Sequence, residues 1–203
     1  MNDKEYNNFI FVKENVLSSE ICGSIIKRLE ADSNLESTSK SIHRHLTSSY
    51  GGKTLGILVT ENTSDWIDIF GILENSLNSY LREYVEKTNI ENLNQSKRKI
   101  YFPYCHIQKI LEGGFYSPHF DCFTEPSEKT KRVITCIWYL NDVENGGETH
   151  FLKTGFKIKP KTGRLGMFPS DKPFIHEGLP PIGTKYIISC WLEIDKSFHY
   201  AYS

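Results

Sequence analysis

RVITCIWYL, residues 132–140, is a run of β-branched and aromatic residues, which is typical of a buried β-strand. From about residue 100 onward, similar short runs alternate with Gly and Pro. Strands are predicted at residues 105–111, 116–121, 132–140, 148–152, 164–168, 174–176 and 185–194. Short strands at this spacing, with no helical pattern between them, indicate an antiparallel sandwich or barrel. Within this region, Asn145-Gly146-Gly147 predicts a hairpin turn between two strands.

The first half is predicted to contain a short strand at residues 9–12 and two helices that pack on the sheet. The first helix follows the capping sequence Ser18-Ser19-Glu20, and the second begins near Ser64 or Asp65. Each helix has one apolar stripe at helical spacing. The stripes contain Ile21, Ile25, Ile26 and Leu29 in the first helix, and Trp66, Phe70, Leu73, Leu77, Leu81 and Tyr84 in the second.

The composition is that of an ordinary globular protein, which excludes wholesale disorder and a coiled coil. The 203 residues include 24 basic and 25 acidic side chains, so the net charge is −1. We expect a single domain over residues 1–203, with about 1–100 as N-terminal helical support and about 101–195 as the β-rich core. The near-neutral charge argues against nucleic acid or an anionic membrane as the main partner.

The five cysteines are scattered and form no Cys-X-X-Cys pair, which disfavours a zinc site or a disulfide framework. The first apolar run spans only residues 9–12, so no signal peptide is expected, and no stretch is long enough for a spanning helix. These features together predict a cytoplasmic protein.

The candidate reactive centre is His119-Phe120-Asp121, the only His-X-Asp sequence in the chain. Strand alternation places His119 and Asp121 on the same face. His176, 55 residues after Asp121, is a second imidazole donor in a short strand-like run. Two histidines and one carboxylate form the facial triad of non-haem Fe(II) oxygenases. The alternative for a lone His-X-Asp is a surface pair on a strand.

Lys185 begins a strand whose two faces are both largely apolar. An ammonium group that points inward from such a strand needs an anion, because an unpaired buried charge is unfavourable. A bound carboxylate ligand would satisfy it. The competing interpretation is that Lys185 lies at the strand end and extends to water.

Four motifs resemble the prolyl 4-hydroxylase branch of the Fe(II)/2-oxoglutarate-dependent dioxygenases. They are GGFYSPHFD at residues 113–121, TCIWYLN at 135–141, GGET at 146–149, and HEG at 176–178 followed by GTKY at 183–186. The resemblance implies a double-stranded β-helix, or jelly roll, that is mainly β with supporting N-terminal α-helices. It also implies Fe(II), 2-oxoglutarate as cosubstrate and O2, with ascorbate as a further candidate cofactor.

By this resemblance, His119, Asp121 and His176 correspond to the catalytic iron ligands. Lys185 corresponds to the residue that pairs with the distal carboxylate of 2-oxoglutarate, and Tyr139 to a tyrosine that hydrogen-bonds the same carboxylate. The GGET sequence corresponds to a structural turn without chemistry. The chain departs from many relatives at residues 110 and 111, where Ile and Leu stand in place of a tyrosine.

The implied reaction is hydroxylation of a C–H bond with succinate and CO2 as co-products. The first substrate hypothesis is a prolyl residue in a peptide or protein, and the alternative is a free amino acid or small molecule. A non-catalytic sensor that binds metal and 2-oxoglutarate and a nucleic-acid demethylase are the other hypotheses. Residues 122–132 and 43–52 are candidate lids over the site. The sequence predicts neither an oligomeric state nor a role for Tyr116 and Ser189.

Overall fold

Two antiparallel sheets and two helices make up the part of the chain that the computed structural model describes, residues 3, 5–37, 53–90, 100–122 and 129–197. The helices are α1 (Ser19–Ala31) and α2 (Ile67–Thr88). The strands are β1 (Phe11–Lys13), β2 (Glu36–Ser37), β3 (Thr54–Val59), β4 (Cys105–Ile110), β5 (Tyr116–His119), β6 (Thr130–Tyr139), β7 (Thr149–Phe151), β8 (Lys157–Ile158), β9 (Arg164–Pro169), β10 (His176–Gly178) and β11 (Lys185–Asp195).

The larger sheet has the strand order β1-β9-β6-β11-β4-β3-β2, and the smaller sheet has the order β5-β10-β7-β8. Aromatic side chains join the sheets: Phe151 of β7 meets Phe168 of β9 edge-on, with ring centroids 4.8 Å apart. Both rings are almost fully buried. Their contact fixes the smaller sheet over one face of the larger sheet, and the space between the sheets is where the candidate site lies.

Helix α1 begins because Ser18 caps it: the Ser18 hydroxyl accepts the backbone N–H of Ile21 at 3.3 Å. Its inner face buries Cys22, Ile25 and Leu29. At the other end, the Glu30 carboxylate accepts hydrogen bonds from Lys109 Nζ at 2.7 Å and Tyr186 Oη at 2.6 Å. These contacts attach α1 to β4 and β11.

Helix α2 buries an apolar stripe that includes Phe70, Leu73 and Leu77. Trp138, which is fully buried in β6, donates its indole N–H to Ser76 Oγ on this helix at 3.3 Å. The helix ends where Asn89 adopts a left-handed conformation with φ 46°. The helix therefore packs on the larger sheet and supports β6, which supplies several site residues.

The predicted mainly-β architecture with supporting helices is confirmed. One strand prediction is wrong: residues 174–176 do not form a strand, because Lys172–Phe174 is a 3-10 turn with Pro173 near its start, and β10 begins at His176. The hairpin prediction is also wrong. Gly146 and Gly147 do form a turn, with φ of 73° and 76°. This turn lies between β6 of the larger sheet and β7 of the smaller sheet, which do not pair with each other.

Strand β3 was not predicted, because its short sequence TLGILV contains a glycine and lies beside polar residues. It pairs with β4 along its whole length, from Thr54↔Ile110 to Val59↔Cys105. The first half thus contributes strands to the larger sheet as well as the helices that pack on it.

None of the helices in the described residues is long and apolar enough to cross a membrane. The candidate lid at residues 43–52, and residues 123–128 of the other candidate lid, lie outside the described residues.

Candidate active site

His119 and His176 are brought together by the pairing of β5 with β10. They are direct cross-strand partners in this antiparallel pair, and their ring centroids are 4.4 Å apart. Asp121 lies two residues beyond His119, and its backbone N–H donates to Ser170 O at 2.9 Å. One ligand atom from each of the three side chains lies within 4.8 Å of the others. The structure therefore groups the three residues that the sequence singled out.

Both imidazoles are oriented by backbone carbonyls. His119 Nδ1 lies 2.7 Å from Ser117 O, and His176 Nδ1 lies 3.0 Å from Phe174 O. A carbonyl only accepts, so each neutral ring carries its proton on Nδ1 and leaves the Nε2 lone pair available. Both Nε2 atoms face the Asp121 carboxylate, at 3.5 Å from Oδ1 for His119 and 3.6 Å from Oδ2 for His176. This is the arrangement that a histidine ligand of a metal needs.

The Asp121 carboxylate is buried, and its charge is stabilised locally. Burial opposes ionisation, but the nearby His176 and His119 and the Thr135 hydroxyl outweigh it and hold the pKa of Asp121 well below its usual range. Thr135 Oγ1 donates to Asp121 Oδ2 at 2.7 Å. The site therefore holds an anionic oxygen donor beside the two nitrogen donors.

The two histidines differ in environment. Burial lowers the pKa of His176 to about 4, so its imidazole is neutral at physiological pH. Burial also acts on His119, but the Asp121 carboxylate, which would accept a hydrogen bond from a protonated Nε2 and attracts the positive charge, raises the pKa of His119 overall. The His119 side chain is 23% exposed against 6% for His176. The site consequently opens to solvent on the His119 side.

Lys185 is buried between the sheets with 2% of its surface exposed. Its Nζ donates to Gly147 O at 2.8 Å, and it forms no salt bridge with any described residue. Burial lowers the pKa of Lys185 to about 8, although the Glu148 carboxylate acts in the opposite direction. An ammonium group with three donors and one observed acceptor can take an anionic ligand.

Tyr139 is fully buried, and its hydroxyl is 2.7 Å from Thr149 Oγ1. Burial raises the pKa of Tyr139, so the phenol stays neutral and can donate a hydrogen bond. Thr149 lies in the GGET sequence, to which the sequence analysis assigned no chemistry. Its buried hydroxyl makes it a polar group of the site that the sequence analysis missed.

Comparison with known proteins agrees with this geometry. Residues 105–193 match the family model described as the 2OG-Fe(II) oxygenase superfamily, where 2OG is 2-oxoglutarate. The matched residues include all three members of the triad. Mouse prolyl 4-hydroxylase subunit alpha-3 is 31% identical over 108 residues, which are 44% of this chain but only 20% of the mouse protein. This chain is thus similar to one part of a longer relative.

Two solved structures share the fold. The viral collagen prolyl hydroxylase of Paramecium Bursaria Chlorella virus-1, in its 2OG complex, superposes with a TM-score of 0.65 at 22% identity and covers 91% of this chain and 96% of its own. A Trichoplax adhaerens prolyl hydroxylase in complex with a hypoxia inducible factor peptide gives a TM-score of 0.70 at 20% identity, over 97% of this chain and 89% of its own. The jelly-roll fold is therefore shown.

A cationic and aromatic cluster, made of Tyr104, His106, Arg132 and Trp191, lies beside the triad and was also missed. The Arg132 guanidinium lies 4.1 Å from the centroid of the Trp191 ring, and its NH1 donates to Asp121 O at 3.4 Å. The Trp191 indole N–H is buried and has no hydrogen-bond partner among the described residues. Such an orphaned donor is a place where a bound molecule could supply an acceptor.

Tyr116 and Ser189, whose roles the sequence left open, are linked through Gln108. Gln108 Nε2 donates to Tyr116 Oη at 2.6 Å, and Ser189 Oγ donates to Gln108 Oε1 at 3.2 Å. The signal for this link was available in principle. Gln108 lies in the middle of a predicted strand, and a polar side chain that such a strand buries needs a hydrogen-bond partner.

Proposed function

We propose that this protein is a Fe(II)- and 2-oxoglutarate-dependent hydroxylase that acts on a prolyl residue of a peptide or protein. The observation that carries the proposal is the convergence of His119, Asp121 and His176, whose ligand atoms lie within 4.8 Å of one another. The alternative substrate is a free amino acid or another small molecule.

The donor set fits Fe(II). Two neutral imidazole nitrogens and one carboxylate oxygen match the facial triad of non-haem iron enzymes, whereas Mg²⁺ and Ca²⁺ prefer oxygen ligands alone. The Nδ1 hydrogen bonds already fix which nitrogen of His119 and His176 is available. A carboxylate that remains ionised and a His176 that remains neutral need no proton transfer before a divalent cation binds.

Lys185 would hold the far carboxylate of 2-oxoglutarate. It is a buried ammonium without a salt bridge among the described residues, and its Nζ donates to Gly147 O, two residues before Thr149. The Thr149 hydroxyl, on β7 of the smaller sheet, is 2.7 Å from the hydroxyl of Tyr139, which lies on β6 next to β11. This combination of one cation and two hydroxyls suits a carboxylate that leaves water. It supports 2-oxoglutarate as the cosubstrate.

Bound Fe(II) and 2-oxoglutarate would together activate O2 and insert one oxygen atom into a C–H bond, with succinate and CO2 as co-products. The protein's own residues hold these groups and exclude water. Phe168 and Phe151 pack against His176 with ring centroids 4.8 and 5.8 Å away, which closes the inner side of the site. Access is left on the side of the partly exposed His119.

The cluster of Arg132 and Trp191 supports a peptide substrate. The Arg132 guanidinium is only partly buried and already donates to Asp121 O and Tyr104 Oη, and its remaining N–H groups can donate to backbone carbonyls of a peptide. The curated relative and the two structures cited above are named as prolyl hydroxylases, and one of the two structures contains a bound peptide.

We also propose a cytoplasmic location, supported by the five free cysteines.

The test is an untargeted search of peptides and metabolites incubated with the protein, Fe(II) and 2-oxoglutarate, with mass spectrometry for a gain of about 16 Da and a parallel assay for succinate. A gain on prolyl peptides that requires 2-oxoglutarate is the expected result. A gain only on small molecules would replace the substrate assignment. Tight 2-oxoglutarate binding without succinate across the panel would identify a sensor instead. Unchanged turnover in His176→Ala would refute the hydroxylase itself.

A further inference from the structure

A chain of three buried polar side chains lies directly behind the candidate metal site. Thr135 Oγ1 is 2.7 Å from Asp121 Oδ2 and 2.9 Å from Ser170 Oγ. Thr135 and Ser170 are 2% and 1% exposed. Neither Thr135 nor Ser170 is one of the three candidate ligand residues, so we expect their effect on the metal to pass through Asp121.

The direction of these hydrogen bonds follows from the chemistry of the groups. An ionised carboxylate only accepts, so the single hydroxyl proton of Thr135 goes to Asp121. Thr135 Oγ1 must then accept the hydroxyl proton of Ser170. Each hydrogen bond in such a chain polarises the next one, which strengthens the contact with the carboxylate.

The backbone of Ser170 also holds Asp121 in place. The Ser170 carbonyl accepts the backbone N–H of Asp121 at 2.9 Å and that of Cys122 at 2.7 Å, and the Ser170 N–H donates to Val133 O at 3.0 Å. Ser170 directly follows β9 and comes six residues before His176. It therefore ties the segment that carries Asp121 to the segment that leads to His176.

The two carboxylate oxygens have different surroundings. Each oxygen faces one imidazole, with Oδ1 3.5 Å from His119 Nε2 and Oδ2 3.6 Å from His176 Nε2, and Oδ2 in addition accepts the Thr135 hydroxyl. A carboxylate that can rotate freely can bind a cation through either oxygen or through both. A carboxylate with one oxygen held by the protein presents the other.

We propose that Thr135 is a positioning residue that, with Ser170 behind it, holds Oδ2 of Asp121 and leaves Oδ1 as the metal ligand. Coordination through a single oxygen keeps three positions of the metal open, which a bidentate carboxylate would reduce. The inference rests on the proposed function only in taking the triad as a metal site. It assigns a role to a residue that does not touch the metal itself.

The test compares metal binding by the metal-free protein and two variants, Thr135→Val and Thr135→Ser. Valine keeps the shape of the side chain and removes the hydroxyl, whereas serine restores the hydroxyl. Cobalt(II) serves as the probe, because its visible absorption reports both affinity and coordination number. We expect Thr135→Val to bind cobalt(II) about 10- to 100-fold more weakly, with an altered visible spectrum, as is typical when a group that orients a metal ligand is lost. Thr135→Ser should restore both.

Thr88→Val is the matched control. Thr88 is also a buried threonine, and its hydroxyl donates to Tyr84 O at 2.8 Å within α2, far along the chain from the triad. This variant should lower the free energy of unfolding without changing cobalt(II) affinity. Thermal unfolding of all variants shows which of them are folded when the metal is added.

The outcomes separate the inference from the function on which it rests. Absence of cobalt(II) binding by the unmodified protein would overturn the metal site and the proposed function together. If the unmodified protein and Thr135→Val bind cobalt(II) with equal affinity and show equal visible spectra, only the role of Thr135 is overturned. Weaker binding in Thr135→Val that Thr135→Ser does not restore would mean that Thr135 acts through packing, and would also overturn the inference.

Discussion

The titration of Lys185 predicts how 2-oxoglutarate binding depends on pH. Burial lowers its pKa from the usual 10.5 to about 8 in the ligand-free protein, which corresponds to roughly 3 kcal/mol disfavouring the charged form. A carboxylate bound beside Lys185 would stabilise the ammonium and raise this pKa again. Binding should then be strongest below pH 8 and weaken as the pH rises through 8, because the protein must first take up a proton.

The expected slope is about tenfold in the dissociation constant per pH unit above pH 8. At pH 9 a group with a pKa of about 8 is roughly 90% deprotonated, so about 0.9 proton should be taken up per 2-oxoglutarate bound. Isothermal titration calorimetry between pH 7 and 9.5 measures the affinity. Two buffers of different ionisation enthalpy give the proton count. Manganese(II) in place of iron keeps O2 chemistry from consuming the ligand.

Lys185→Arg is the control, because a guanidinium stays protonated over the whole range. Its binding should be independent of pH even if its affinity is lower. Lys185→Met, which keeps an unbranched apolar side chain, should bind 2-oxoglutarate much more weakly while its metal affinity stays the same. Binding by the unmodified protein that does not change between pH 7 and 9.5, or equal losses of metal and 2-oxoglutarate affinity in Lys185→Met, would refute the assignment of Lys185 to the cosubstrate.

Three further predictions concern the metal, stability and the core. His176→Ala should abolish succinate formation and weaken metal binding while the circular dichroism spectrum is retained; a variant with full turnover would contradict the triad. Because the pKa of Lys185 is lower in the folded than in the unfolded chain, its contribution to the free energy of unfolding of the ligand-free protein should rise between pH 8 and about 10.5. Urea titrations measure this contribution as the difference between the unmodified protein and Lys185→Met, which should grow over that range. Leu73→Ala, at a fully buried position of α2, should cost about 2–5 kcal/mol in urea unfolding, whereas the exposed Glu74→Ala should stay within about 0.5 kcal/mol.

The local parts of the site could be predicted from the sequence. His119 and Asp121 are two residues apart in a strand-like run, and period-two alternation predicts that they share a face. Strand β5 ends at His119, so Asp121 lies beyond it, but the Asp121 carboxylate still lies 3.5 Å from His119 Nε2. For Lys185 the sequence left two interpretations open, burial with an anion and extension to water, and the structure places it at 2% exposure. Each of these expectations depends on a few neighbouring residues.

The partners of these residues could not be predicted in the same way. His176 reaches His119 through the register of β10 against β5, and the two are separated by 57 positions in the chain. Nothing in the short run around His176 specifies that register. The resemblance to a known family supplied the grouping, and strand pairing supplies its physical cause.

The hydroxyl of Thr135 shows what a pattern of alternation could have revealed. Tyr139 was selected as a site residue on β6, and residues two and four positions away share its face. Thr135 is the polar one among them. Alternation alone gives only the face, however, and the hydrogen bond to Asp121 depends on how the segment after β5 is held by Ser170.

The two sheets contribute different residues to the site, so the site forms only when both sheets are in place. The smaller sheet carries both histidines on the paired strands β5 and β10, whereas the larger sheet carries Thr135, Tyr139 and Lys185 on β6 and β11. Asp121 belongs to neither sheet: it follows β5 and is held through Ser170, just after β9. Its position therefore depends on the distance between the sheets, which the packing of Phe151 on Phe168 maintains. The distances between the metal-ligand residues therefore depend on an intact core between the sheets. For this reason, substitutions in the core near Phe151 and Phe168 should weaken metal binding even where the protein remains folded.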